Sequence, residues 1–299
     1  MVGVVTQPDR PRGRSRSQLV PPPVKAIADE EGLTVLQPER PRGPEFLDTL
    51  RLLAPDLSVV VAYGHLLVRE VIDLPPRGTL NIHASLLPAL RGAAPIQAAI
   101  REGLAETGVS VMRVVPQLDA GPVILQLATP IAPDETAGEL QLRLSELGAQ
   151  ALIEALALME AGVAREVPQD DARATYAPKL DRAATRIDWS RSAAVVARAI
   201  RAYDPRPGAV TVWHDTEVKL FGAQVVGADR PAGGGADGPS GPGDTPGAIT
   251  AVDEDGLVVA CTGAEAVRVT QVQPAGRGRM SPGEWARGRG IRPGDRFGT

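Results

Sequence analysis

Residues 81–96 read Asn81-Ile82-His83-Ala84-Ser85-Leu86-Leu87-Pro88-Ala89-Leu90-Arg91-Gly92-Ala93-Ala94-Pro95-Ile96. The stretch is entered from a turn signal, Pro75-Pro76-Arg77-Gly78, and the β-branched and apolar run Thr79 to Ile82 reads as a strand. The run then breaks into a loop marked by Pro and Gly, and the pattern predicts a helix starting near Ala93. Asn81 and His83 can both polarise a carbonyl, and on a strand residues two apart project to the same face. Polar side chains aimed to one side at the carboxyl end of a strand stand where an open α/β sheet places its ligand site. A lone histidine there reads more readily as a hydrogen-bonded core residue. The string of polar, Gly and Pro positions around His83 is what singles it out.

Working outward, strands and helices alternate. Val2 to Thr6, Thr34 to Leu36 and Leu57 to Ala62 read as short buried strands, the last a continuous apolar run suited to a parallel sheet covered on both faces. Pro21 to Glu31, Pro44 to Ala54 and Leu66 to Ile72 read as helices, the second with Phe46, Leu47, Leu50 and Leu53 along one side. Beyond the site stretch, Thr107 to Val115 and Val123 to Ile131 read as strands, and a long helix starts near Pro133 to Thr136 and runs to about Met159. This alternation predicts an α/β fold with a doubly wound, mostly parallel sheet. Residues 1–164 are assigned to it as a catalytic domain. Residues 165–185 are polar and irregular and read as a linker. Residues 186–299 hold a helix, Ala193 to Ala202, and five short alternating strands, which predict a small β-barrel of the OB type. Within it, residues 229–246 are a Gly-, Pro- and Asp-rich insertion, expected to be flexible.

Composition narrows the class. The 299 residues carry a formal net charge of -4, which argues against strong electrostatic binding by the whole surface but leaves room for a local basic patch. Such patches occur at Arg10, Arg12, Arg14 and Arg16, interspersed with Pro, Gly and Ser, and among the arginines of the last 34 residues. Each reads first as a solvated surface; each also suits a phosphate backbone. Cys261, the only cysteine, excludes an internal disulfide and fits a reducing cytoplasm; it reads as a strand residue. No apolar run has the length of a membrane span, so no membrane partner is expected. Aromatic residues are 3% of the chain, so the cores are expected to be built mainly from Val, Leu, Ile and Ala. His65, His83 and His214 are too scattered for a metal-ligand motif, and no metal is expected.

Asn81-x-His83-x-Ser85-Leu86-Leu87-Pro88-x-x-Arg91-Gly92-x-x-Pro95 resembles the signature of the formyltransferase family that uses 10-formyltetrahydrofolate. The resemblance covers nearly the whole chain apart from residues 229–246. It implies that Asp119, in Asp119-Ala120-Gly121-Pro122, is a third catalytic group beside Asn81 and His83, although by local chemistry Asp119 is an ordinary turn residue. It also implies that Ser85, Leu86, Leu87 and Pro88 line the folate site. Gln7-Pro8-Asp9-Arg10-Pro11-Arg12-Gly13-Arg14 is similar to a loop that enters the tRNA acceptor arm in members acting on initiator methionyl-tRNA, which assigns Arg10, Arg12, Arg14 and Arg16 to tRNA. One departure stands out: family members carry a further strand and helix before the position of Val2. A doubly wound sheet without that central strand would leave backbone groups unpaired.

Formyl transfer to an amine is acyl transfer. Charge develops on the formyl oxygen and on the attacking nitrogen, so an oxyanion donor, a proton acceptor and a proton donor are required. Asn81 offers an amide donor; His83 can donate to the same oxygen and relay protons, since imidazole changes charge near neutral pH. Asp119 can pair with His83 and orient the amine or a water. A monomeric, cytoplasmic formyltransferase acting on initiator methionyl-tRNA is the first expectation. The competing ones are a formyltransferase for a small amine such as an amino-sugar nucleotide, and a tRNA-binding protein whose shortened first domain cannot catalyse.

Overall fold

The structure is a computed structural model describing residues 1–12, 18–227, 245–263, 265–289 and 291–298. Arg14, Arg16 and residues 229–244 of the expected insertion lie outside the described residues. In chain order the first elements are β1 (Val4–Val5), β2 (Arg10–Arg12), β3 (Gln18–Val20), α1 (Pro23–Glu30), β4 (Val35–Leu36), α2 (Pro44–Leu53), β5 (Ser58–Val60), α3 (Arg69–Ile72), β6 (Thr79–His83), α4 (Pro95–Glu102), β7 (Glu106–Arg113), β8 (Val123–Pro130) and α5 (Ala137–Glu160). The remainder are α6 (Ala193–Ala202), β9 (Ala209–Trp213), β10 (Thr216–Gly227), β11 (Ile249–Val252), β12 (Leu257–Ala260), β13 (Glu265–Pro274) and α7 (Pro282–Arg289). They fall into two compact units: Met1–Ala89 with Val109–Leu127 and Gly148–Ala174, and Leu90–Gly108 with Ala128–Leu147 and Thr175–Thr299.

The first unit is α/β, with a mixed sheet. Strands β5-β6-β7-β8 form one four-stranded sheet, in which β5 and β6 run parallel and β6 and β7 antiparallel. A separate parallel pair joins β1 to β4. In consequence β5 is an edge strand. The expectation of cover on both its faces is not met: Val59 and, just beyond it, Val61 are 39% and 57% exposed. Helix α2 forms as its periodicity requires, but none of its residues is fully buried. Helix α5 opens on a capping box in which Thr136 and Glu139 each hold the other's backbone N–H, at 3.3 and 2.9 Å. Gly148 of that helix lies against β6, where an added Cβ would sit 3.1 Å from Ile82 Cγ2. Ile82 therefore faces α5, and its neighbours Asn81 and His83 face the other side of the sheet.

In the second unit α4 packs against α6, and the five strands form an antiparallel sheet in the order β11-β12-β13-β10-β9. The five strands expected from the sequence are all present. The two outer strands are bridged by the terminal segment: Ile249 N–H donates to Asp295 O and Gly298 N–H to Val212 O, both at 2.8 Å. The expectation of mainly aliphatic cores holds in both units; here a small aromatic cluster joins a core of Val, Leu, Ile and Ala. Trp189 and Phe297 stack at 5.8 Å, Trp285 and Phe297 at 6.3 Å, and Trp213 meets Trp285 edge-on at 5.1 Å. The few aromatic side chains are thus concentrated where bulk is needed, and Trp189 Nε1 has a partner in Thr211 Oγ1 at 3.0 Å.

Helix α7 was not expected; its signal is Ser281-Pro282-Gly283-Glu284, a capping box with Pro at the first helical position, and the box forms, with Ser281 N–H donating to Glu284 Oε2 at 3.0 Å. Among the described residues no helix is long and apolar enough to cross a membrane.

Cys261 follows β12 and is 2% exposed, as its strand-like surroundings suggested. Burial, with the Glu265 carboxylate nearby as a smaller cause, pushes its thiol up to about 12. The protonated, enclosed thiol is expected to be inert to Ellman's reagent at pH 8 in the native protein and to react fully after unfolding; fast native labelling would contradict the packing around β12.

Candidate active site

Strand β6 is flanked by β5 on one side and β7 on the other, so its backbone is held along both edges. Asn81 lies opposite Met112 and His83 opposite Ser110. His83 is 6% exposed. The connection from β7 to β8 then brings Asp119 to it: Asp119 Oδ2 lies 3.7 Å from His83 Nδ1, with side-chain exposures of 14% and 6%. That separation is an ion-pair approach, longer than a hydrogen bond.

The turn that carries Asp119 is built for that placement. Asp119 has φ +49°, a left-handed conformation that short polar residues adopt more easily than others. Gly121 passes so close to β7 that an added Cβ would sit 1.9 Å from Arg113 O, which explains a glycine in Asp119-Ala120-Gly121-Pro122. Arg113 N–H donates to Pro122 O at 2.9 Å. From outside the turn, Gln169 Nε2 donates to both Asp119 O and Gly121 O, at 2.8 and 2.7 Å. The sequence reading passed over Gln169, because a glutamine in a polar stretch carries no local signal.

The loop after β6 alternates in burial. Ser85 and Leu87 are 1% and 5% exposed, whereas Leu86 and Pro88 are partly open. Ser85 Oγ donates to Ala89 O at 2.5 Å. Further on, Arg91 and Gly92 lie beside Tyr176-Ala177, in the segment read as linker: Arg91 N–H donates to Thr175 O at 2.9 Å and Ala177 N–H to Arg91 O at 2.7 Å. A Cβ on Gly92, φ +120°, would lie 2.6 Å from Ala177 O.

The arginine-rich stretch, read as a loop, is in part a hairpin: Arg10 and Val20, and Arg12 and Gln18, are register pairs of β2 and β3. Its base is tied by Asp9, which accepts from Gln37 Nε2 at 2.7 Å and pairs with Lys25 Nζ at 3.0 Å. The Gln37 and Lys25 contacts hold the Asp9 carboxyl below its ordinary value. Arg10 is exposed, with Nη2 3.1 Å from Gln7 Oε1. In the second unit, some of the terminal arginines are engaged within the fold: Arg268 pairs with Asp253 at 2.6 Å and Arg279 with the buried Asp204 at 3.0 Å. Arg277, Arg287 and Arg292 are exposed.

An imidazole and a carboxylate thus converge at the end of a strand in an α/β unit, with the Asn81 amide on the same strand face. Residues 1–156 match the family model described as formyl transferase, and residues 179–290 match the one described as formyl transferase, C-terminal domain. The chain belongs to the formyl transferase family. Within it, methionyl-tRNA formyltransferase of Moorella thermoacetica is 45% identical over 295 residues, 99% of this chain and 90% of that protein. Methionyl-tRNA formyltransferase of Aromatoleum aromaticum is 46% identical over 294 residues, 98% and 88% of the two chains. Among solved structures, HypX from Aquifex aeolicus in complex with tetrahydrofolic acid superimposes with a TM-score of 0.65 at 21% identity, covering 95% of this chain and 46% of that one, a likeness of fold alone.

Replacing Gln169 with Leu removes both donors to the Asp119 turn. Amide hydrogen exchange at Asp119 to Gly121 is expected to accelerate about tenfold, the effect of losing hydrogen bonds of ordinary net strength; unchanged exchange would show that the turn holds itself.

Proposed function

We propose that this chain transfers the formyl group of 10-formyltetrahydrofolate to the α-amino group of methionine on initiator methionyl-tRNA, preparing it for translation initiation. The observation that carries the reading is the approach of Asp119 to His83 beside Asn81, on one face of a strand fixed along both edges. Likeness at 45% and 46% identity over almost the full chain to proteins named for that acceptor favours it over an amino-sugar nucleotide.

In this reading the neutral amine attacks the formyl carbon. Asn81 Nδ2 and the imidazole of His83 donate to the developing oxyanion, where fixed donors in a water-poor site act most strongly. Asp119 holds the imidazole through Nδ1 and orients the amine, and His83 relays the proton toward the departing folate nitrogen. Leu86 and Pro88 present side chains to the folate, while Ser85 and Leu87, being buried, shape the loop from inside. Residues 1–164 act as the catalytic segment, 165–185 as the linker and 186–299 as an OB-like tRNA-binding segment, a division that the family matches over 1–156 and 179–290 support. Arg10, Arg12, Arg14 and Arg16 bind the tRNA phosphates, an assignment that the likeness of residues 7–14 to the family's acceptor-arm loop supports. The protein works as a monomer in the cytoplasm.

The test is direct: the purified protein, 10-formyltetrahydrofolate and charged initiator tRNA should yield formylmethionyl-tRNA. A chain that binds tRNA without transferring formyl groups would overturn the reading. Asn81→Ala, His83→Ala and Asp119→Ala are each expected to slow transfer by about 10²- to 10³-fold with tRNA binding retained. An Asp119→Ala variant of normal rate would remove that residue from the chemistry.

Arg10→Ala, alone and combined with Arg12→Ala and Arg14→Ala, is expected to raise the KM for tRNA progressively, and to flatten its salt dependence, while the KM for the folate stays put. Equal tRNA kinetics across that series would separate the hairpin from the acceptor.

A further inference from the structure

Ser110 is fully buried in β7, directly opposite His83 in register. Its hydroxyl has one hydrogen to give and two lone pairs to fill. All three are used, and all within a few residues of the site. Oγ donates to Ser85 O at 2.6 Å, accepts from Leu87 N–H at 3.1 Å, and accepts from Gln126 Nε2 at 2.8 Å. The other hydrogen of that Gln126 amide goes to Leu87 O at 2.9 Å. Two side chains, one from β7 and one from β8, thereby take up three backbone groups of the segment 85–87. Irregular backbone buried beside a sheet needs partners for those groups, and here they come from outside the segment.

We infer that Ser110 and Gln126 are positioning residues that fix the Ser85–Pro88 loop beside His83 in the conformation that receives the pteridine-bearing cosubstrate. The inference rests on the folate role given to that loop under the proposed function. It adds that β7 and β8, together with the loop's own Ser85, set the loop's shape. With the hydroxyl removed, Ser85 O and Leu87 N–H lose their shared partner, and Gln126 keeps only one of its two acceptors. The loop then relaxes, and folate binding must restore its order at the cost of affinity.

The experiment compares Ser110→Val with Ser110→Thr, which have nearly the same shape and differ in the hydroxyl, and adds Gln126→Met, a change at an exposed residue. The readout is the calorimetric Kd for tetrahydrofolate, because misfolded protein lowers the stoichiometry and leaves Kd alone. Ser110→Val is expected to weaken binding about tenfold and Gln126→Met by a few fold, with Ser110→Thr within about twofold of the parent, as the removal of hydrogen bonds of ordinary net strength implies. The KM for tRNA should not move. Parent-like Kd values for both Ser110→Val and Gln126→Met would overturn the positioning role while leaving the folate site in place. Absence of tetrahydrofolate binding by the parent protein would instead overturn the folate reading itself, and this inference with it.

Discussion

The 3.7 Å approach of the Asp119 carboxylate to the His83 imidazole is the constraint on which the site depends. His83 ends strand β6 and Asp119 lies on the β7–β8 connection, and nothing local brings them together. Three features do so. Register places Ser110 beside His83 and Arg113 beside Leu80, which fixes where β7 ends. Gly121 then lets the following turn fold back onto Arg113 O, closer than any side chain would permit. Gln169 closes the turn from outside with two hydrogen bonds. Each contributes a modest net energy, but together they leave the carboxylate one place to go.

Much of this was legible in the sequence, for reasons that differ by residue. Asn81 and His83 share a face by the period of a strand, and that inference needs no tertiary information. Asp119 was legible only through family resemblance, since its local chemistry describes a turn and no more. Gln169, Ser110 and Gln126 were invisible: each acts on backbone atoms distant in sequence, and side chain to backbone hydrogen bonds of that kind leave no periodic trace. The cover expected over both faces of β5 is not found for a related reason. An apolar run reports that a strand would suit burial; which neighbours it obtains is a property of the sheet. Helix α7, by contrast, carried a local signal in its capping box.

The aliphatic cores that the composition predicts are present in both units, and the few aromatics are not spread evenly through them. A chain with few aromatics can still place them together, and the second unit gathers Trp189, Trp213, Trp285 and Phe297 into one cluster. They add bulk to a core otherwise made of Val, Leu, Ile and Ala, since each aromatic buries a large area. The basic residues behave in the opposite way. Arg268 and Arg279 are drawn into ion pairs with Asp253 and Asp204, so a count of terminal arginines overstates the charge offered to a phosphate backbone. Arg279 also lies 4.1 Å over the Phe221 ring, which makes it a packing residue as much as a charge.

Asp204 shows that the device seen around Ser110 is not peculiar to the first unit. It is 5% exposed, and it accepts from Gly222 N–H at 3.1 Å and from Arg279 Nη1 at 3.0 Å. In both places one buried polar side chain, fully partnered, satisfies irregular backbone that regular secondary structure leaves over. Such a node stabilises only while complete, because each unmade bond leaves a buried donor or acceptor without water. It therefore specifies geometry more than it adds stability. Under the proposed function, that is what acyl transfer requires of the first unit: donors held at fixed positions before the oxyanion forms, so that the enclosure need not reorganise as charge develops.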